Sequence, residues 1–372
     1  MKEGWTYKKL GEVGSFIRGG GFLKRDFVEN GIPCIHYGQI HTILGSVTKE
    51  HLTSIPEALR TKTRFASKGD VIFAITSEDV EGSCKCTAWM GDYDVAVGGH
   101  AAIYKHRLNP AYVSLFAKSP VFNKAKEEFV HGFKVMEIKP ADIAKIEIPV
   151  PPLSEQQRIV SRLDAAFSHI DELKANAEKQ LSEARALFQK SLAKAMEPKE
   201  AWRKYIWGNI IKLQSGDNLP AKKIIVGEYP VYGGNGIAGY HNQYNRVGTN
   251  VVVGRVGALC GNVHYVTDPF WLTDNGFEVI VNEAIDVDKK FLSGYLRFLN
   301  LGKYARQTAQ PVISNASLKD VVLYIPSLSE QKRIVERLDA LSAHVRELEE
   351  NQKKIISECD ALKQALLRKV FE

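Results

Sequence analysis

The chain has 372 residues, of which 44% are hydrophobic, 9% aromatic and 25% charged. That composition belongs to folded globular proteins and excludes disordered, collagen-like and silk-like classes, and the length suggests two or three domains. The formal charge is +7, no run approaches the ~18 uninterrupted apolar residues of a membrane span, and the start MKEGWTYKKL lacks the apolar core of a secretory signal. The expected compartment is the cytoplasm, with no membrane partner.

The first region, residues 1–150, is rich in short β-branched runs and glycine turns, such as VIFAIT at 71–76 and VAVGGHAAIY at 95–104, with a helical patch at about 111–128. Residues 151–199 change character: LSEQQRIVSRLDAAFSHIDEL opens a charged, proline-free stretch entered through IEIPVPP. Residues 200–326 return to strand-like runs, NVVVGRVG at 250–257 and FEVIV at 277–281, with a helical patch at 288–306. Residues 327–372 form a second charged stretch, LSEQKRIVERLDALSAHVREL, entered through VVLYIPS. The two stretches match at 14 of 21 positions at an offset of 175, and Trp5, Gly11, Val13, Phe16 and Gly19 line up with Trp202, Gly208, Ile210, Leu213 and Gly216 at an offset of 197. Such a repeat means duplication: domain, helix, domain, helix.

The repeated stretches predict helices with Ser154 and Ser329 as N-caps, Gln157 closing a capping box in the first copy, and Glu155 and Glu330 in the positive first turn. Apolar residues then recur in steps of three and four through Ile159, Leu163, Ile170, Leu173 and Leu181, and through Ile334, Leu338, Val345, Leu348 and Ile356. A lone helix of about 45 residues, roughly 67 Å long, would not stay ordered in water without a partner along that stripe. Each helix must hand the chain back, so the expectation is an antiparallel pair. The expected fold class is α+β: two similar strand-rich domains, separated by long antiparallel coiled-coil helices and related by a pseudo-two-fold.

Net charge is +3 over residues 1–150 and +4 over 201–325, and zero over 151–200 and 326–372. Phosphate binding therefore belongs to the domains rather than the helices. Residues able to contact phosphates or base edges are Arg18, Lys24, Arg25, His36, Tyr37 and Gln39 in the first domain. In the second they are Tyr232, Asn235, His241, Asn242, Gln243, Arg255 and Arg306.

Catalytic signatures do not hold up. GNGIAG at 234–239 is followed by YHNQYNRVG rather than a helix, so its glycines read as a turn. NPAY at 109–112 reads as a loop entering a helix, and Glu137-Ile138-Lys139 is too common a spacing to mark a nuclease. The five scattered cysteines, Cys34, Cys84, Cys86, Cys260 and Cys359, read as reduced, buried thiols, and no metal site is expected.

The doubled LSEQ helices, entered through IPVPP and YIPS, resemble the conserved regions of the specificity subunit of type I restriction-modification systems. So do Trp5 with LGEVGSFIRGG, Trp202 with WGNIIKLQSG, and GRVGALCGNV at 254–263. The resemblance implies a non-catalytic subunit with two target recognition domains that read the halves of a bipartite sequence in double-stranded DNA. It also implies helices that set the gap and dock two methyltransferase (M) subunits, with motor-nuclease (R) subunits joining for restriction. S-adenosylmethionine, ATP and Mg²⁺ would serve those partners, and this chain would bind no cofactor. Gln310-Pro311-Val312-Ile313-Ser314 resembles the family's loop before the last strand, whereas the first domain has Val135-Met136-Glu137-Ile138-Lys139 there. The rival reading is a coiled-coil scaffold whose duplicated domains bind proteins and carry no DNA specificity.

Overall fold

The computed structural model describes residues 4–306 and 310–372. It divides into two compact units, Met1–Glu178 with Lys353–Glu372, and Lys179–Gln352. Each is strand-rich α+β.

In the first unit a five-stranded sheet runs in the order Gly14–Arg18, Ala101–His106, Val71–Ala74, Cys86–Trp89 and Val47–Thr48. A second sheet runs Thr53–Ile55, Ile32–Ile35, Val95–Val97 and Arg64–Ala66, its middle pair parallel. The central strands are buried on both faces, which is why VIFA and VAV read as unbroken apolar runs rather than alternating ones. The expected helical patch at 111–128 is two helices, Pro110–Ala117 and Pro120–Lys126, each with proline in its first turn and capped by Asn109 or Ser119. NPAY is thus the helix entry that its sequence suggested.

The second unit repeats the frame in a sheet of Ile211–Ser215, Gly276–Val281, Asn250–Gly254 and Val263–Val266. Beside it lies a three-stranded sheet of Gly236–His241, Tyr229–Gly233 and Trp271–Leu272. Of the GNGIAG residues, Gly234 and Asn235 form the turn between two antiparallel strands, Tyr229–Gly233 and Gly236–His241, and Gly236 and Gly239 lie in the second.

The domain-start echo has a structural cause at each glycine. Thr6–Lys9 pairs antiparallel with Glu147–Val150, and Arg203–Ile206 pairs likewise with Val322–Ile325. The next turn then folds against the chain that returns. Gly11 N donates to Ala144 O at 2.9 Å and Gly208 N to Lys319 O at 3.0 Å, and a Cβ on either glycine would crowd that same carbonyl at 3.2 or 3.1 Å. Gly19 and Gly216 pass so close to the Gly98 and Leu272 carbonyls that any side chain would collide.

The long helices span Leu153–Met196 and Leu328–Phe371. They begin one residue before the expected caps: Ser154 and Ser329 lie inside the first turn, and the turn is closed by Pro152 O, or by Ser327 through its carbonyl and its Oγ. In the second copy the capping serine is therefore Ser327 rather than Ser329, and in the first Pro152 precedes the helix with its carbonyl alone. Within the first unit the N-terminal half of one helix packs antiparallel on the C-terminal half of the other. Ile159, Leu163, Ile170 and Ala177 are buried, and Lys174 pairs with Asp360 at 2.8 Å and Lys363 with Asp171. Within the second unit the complementary halves meet through Ala184 and Ile334, Arg185 pairs with Glu349 at 2.7 Å, and Gln352 donates to Gln180 at 3.0 Å. Leu338, Val345, Leu348, Ile356 and Leu181 are half-buried along the same seam. Leu173 is not in it. At 57% exposed it points away, because the seam steps from Ile170 to Lys174 to Ala177.

Each helix is also anchored to a domain core. Leu367 and Phe371 join the first unit's core, with the Phe371 ring 5.3 Å from Tyr112 and 5.4 Å from Phe116. Met196 and Ile334 join the second core with Trp202 and Phe291. No helix of the described residues is long and apolar enough to cross a membrane.

Candidate nucleic-acid interface

A matching glutamine ties each helix to a domain. Gln156 and Gln331 are essentially sealed from solvent. Gln156 accepts from Asn109 N at 2.8 Å and donates to Pro151 O at 2.8 Å. Gln331 accepts from Asp288 N at 2.7 Å and donates to Pro326 O at 2.9 Å. Asn109 and Asp288 are themselves the N-caps of the domain helices Pro110–Ala117 and Lys289–Phe298. One amide thus locks a strand end, a domain helix and a long helix together, twice in the chain.

In the first unit the polar aromatics surround a cleft of about 700 Å³ lined by Tyr37, His41, Thr76, Glu78, Lys85, His100 and Val135. His36 caps the helix Tyr37–Thr42, its Nδ1 accepting from Gly38 N at 3.2 Å. The Tyr37 ring stands 4.5 Å from His36, 5.1 Å from His100 and 5.9 Å from His41. His41 Nε2 donates to Thr76 O at 2.9 Å. Burial, reinforced by the charges of His100 and Lys24, holds the His36 imidazole below its ordinary pKa, so it is neutral at pH 7. Lys24 and its neighbour Arg25 are both exposed. Arg18 donates to Gly99 O at 2.9 Å and pairs with Glu137 at 3.0 Å while staying half-exposed. One side of the cleft is the loop carrying Glu81 and Lys85. Lys126, 2% exposed, holds that loop with hydrogen bonds to Glu81 O at 2.8 Å and Ser83 O at 2.6 Å. Desolvation lowers the Lys126 pKa.

In the second unit a groove of about 590 Å³ is lined by Asn218, Gly234, Asn235, Thr273, Asp274 and Asn275. Asn235 is exposed at its hairpin turn, while Tyr232 lies further in, against His264 and Phe270. Arg255 donates to Asp274 O at 3.2 Å, its guanidinium over the Phe277 ring at 5.4 Å. Arg255 and the exposed Arg306 are both laced to the segment after Pro311: Ile313 N donates to Arg255 O at 2.9 Å and Arg306 N to Val312 O at 3.0 Å. Asn242 and Gln243 are exposed in the following loop.

Two candidates lie buried in the frame. Gln39 is 9% exposed and spends its amide internally, accepting from His36 N at 2.9 Å and donating to Thr53 Oγ1 at 3.0 Å. His241 is 4% exposed, its Nδ1 accepting from Ile225 N at 3.1 Å. Both side chains are buried and hydrogen-bonded within the frame. Conversely, His100 lines the first cleft and Lys126 braces the loop beside it, and neither was in the candidate set. Each acts across 24 to 63 residues of sequence, which no local pattern conveys.

Known proteins share this layout. The profile of the type I restriction modification DNA specificity domain matches residues 2–183 and again residues 199–358. The specificity subunit of the type I restriction enzyme EcoprrI from Escherichia coli is 34% identical over 149 residues, spanning 38% of this chain and only 37% of that subunit. That of StySPI from Salmonella potsdam is 23% identical, spanning 100% of this chain and 89% of its own. Among solved structures, a chain from a study of complex assembly and conformational transition in a type I R-M system superposes with a TM-score of 0.80 at 19% identity, covering 99% of this chain and 97% of its own. The HsdS subunit from Thermoanaerobacter tengcongensis gives 0.65 at 19% identity, over 100% and 97%. These last two likenesses are of fold. With the specificity-domain profile matched twice across most of its length, the chain belongs to the family of type I restriction-modification DNA specificity subunits.

Proposed function

We propose that this chain reads a bipartite DNA target with a fixed gap and is the non-catalytic subunit on which a type I complex assembles in the cytoplasm. Each domain reads one half-site, and the helices set the separation. Two M subunits dock and methylate adenine with S-adenosylmethionine. R subunits, using ATP and Mg²⁺, join for restriction, and no cofactor is held by this chain. The observation that carries the reading is the duplicated frame, two domains with the same glycine turns, each clamped to a long helix by the same buried glutamine. Two such readers on one stiff connection convert weak half-site affinities into a single gapped specificity through effective concentration.

Copurification of the tagged chain, followed by genome-wide mapping of methylated adenines, tests the proposal. A gapped motif with one methylated adenine in each half supports it, and a continuous motif or none refutes it. Against the scaffold reading, fluorescence anisotropy with duplex DNA should show affinity falling steeply as salt rises. A protein-binding scaffold would show no such dependence.

A further inference from the structure

The first domain has Val135-Met136-Glu137-Ile138-Lys139 where the second has Gln310-Pro311-Val312-Ile313-Ser314, and the structure gives the segment leading into it a shape. His131–Gly132 and Met136–Glu137 form a short antiparallel hairpin, so Phe133, Lys134 and Val135 are its tip. Phe133 is 91% exposed and Val135 58%. A side chain of that size left in water forgoes its burial, so an exposed Phe on an ordered tip asks for a partner surface.

The tip is braced rather than loose. Met136–Glu137 pairs on its other side with Thr76–Ser77, Ile138 N donates to Ile75 O at 3.0 Å, and the Ile138 side chain is fully buried. Arg18 pins Glu137 at 3.0 Å. Gly132, at φ +148°, sits where any side chain would strike the Val135 carbonyl, so the hairpin turn requires glycine there. Val135 lines the same cleft as Tyr37 and His100, which places the tip on its rim. Lys134 beside it is exposed.

We propose that Phe133 is a wedge that enters a base step of the half-site read by the first domain, partly unstacking it and kinking the duplex, while Lys134 holds an adjacent phosphate. The inference rests on the DNA-reading function proposed above. An exposed aromatic beside a lysine on a braced tip matches a π-stacked step, as apolar wedges do in other DNA-bending proteins. It supplies a sequence preference through the ease of unstacking rather than through base edges.

The test uses the full chain assembled with its copurified methyltransferase and duplex DNA bearing the gapped motif found by methylation mapping. Phe133→Ala should weaken binding on the order of tenfold without changing the salt slope. Lys134→Ala should reduce that slope by about one. Phe133→Trp should retain binding, and its emission should be quenched on this duplex. A FRET-labelled duplex should lose its bend with Phe133→Ala. Unchanged affinity and bend with Phe133→Ala, and unquenched Trp emission, overturn the wedge while leaving DNA reading intact. Loss of methyltransferase copurification with DNA affinity unaltered would instead make the tip a protein contact and also overturn it. If the wild-type assembly shows no salt-dependent DNA binding, both readings fall.

Discussion

Gln156 and Gln331 each satisfy a backbone donor and a backbone acceptor that would otherwise be stranded in the interior. Replacing either by alanine should cost about 2–4 kcal/mol, since it opens a cavity and leaves buried backbone groups unpaired. Urea unfolding of the single variants checks this, and a loss below about 1 kcal/mol would reduce the clamp to an incidental contact. His106 makes a pH prediction. Its Nδ1 accepts from Leu108 N at 3.1 Å, and its buried Nε2 has no partner. Burial pushes its pKa down to about 4 from 6.5. Above pH 6.5 the ring is neutral whether folded or unfolded, and it contributes no pH dependence. Between about 6.5 and 4 the unfolded chain takes a proton that the folded one refuses, so stability falls as pH falls, and the loss levels off below 4. His36 and His264 are displaced in the same direction by burial. Unfolding midpoints at pH 7.5, 5.5 and 4.5 should decline, and His106→Gln should flatten the slope. These roles were hidden in the sequence: Gln157 looked like the capping residue, yet its neighbour Gln156 faces the domain, a distinction decided by where the helix docks.

The two long helices were legible because a three-and-four spacing is a local property, readable without knowing the partner. Which residue fills each step was less so. At Leu173 and Lys174 both choices satisfy the spacing, and the facing helix decides for Lys174 by offering Asp360 at 2.8 Å. The seam carries more stability than the ion pairs that decorate it. Ile170, 5% exposed, loses its burial and places an unpaired charge in the interface if changed to Asp, which should cost more than about 3 kcal/mol. Lys174→Ala removes an exposed pair of the kind generally worth about 1 kcal/mol or less. Thermal melts followed by circular dichroism should rank the two in that order, and equal shifts would mean that the helices are held by charge. The sheets were only half legible. VIFA, VAV and VVV announced buried strands, but the order that interleaves residues 14–18 with 101–106 and 71–74 rests on pairings between distant segments.

At the scale of the whole chain, duplication was plain from an offset of 175 residues, whereas the clefts were not. Tyr37, Thr76, His100 and Val135 share one cleft only because strands far apart in sequence converge there, and loops free to vary carry no signature. On the function proposed here, adding four residues near 190–198 continues the helix by about one turn and should lengthen the tolerated gap by about one to two base pairs, from 1.5 Å per residue against 3.4 Å per base pair. Methylation of substrates with graded gaps measures it, and an unchanged optimum would refute the helix as the spacing element. The buried glutamines add a constraint on phase. Because each fixes the azimuth at which a rod leaves its module, one extra residue twists everything downstream by about 100°. On the proposed function the connector would behave like a threaded bolt with clicks a full turn apart: a one-residue insertion should damage activity more than a four-residue insertion, although it adds less length.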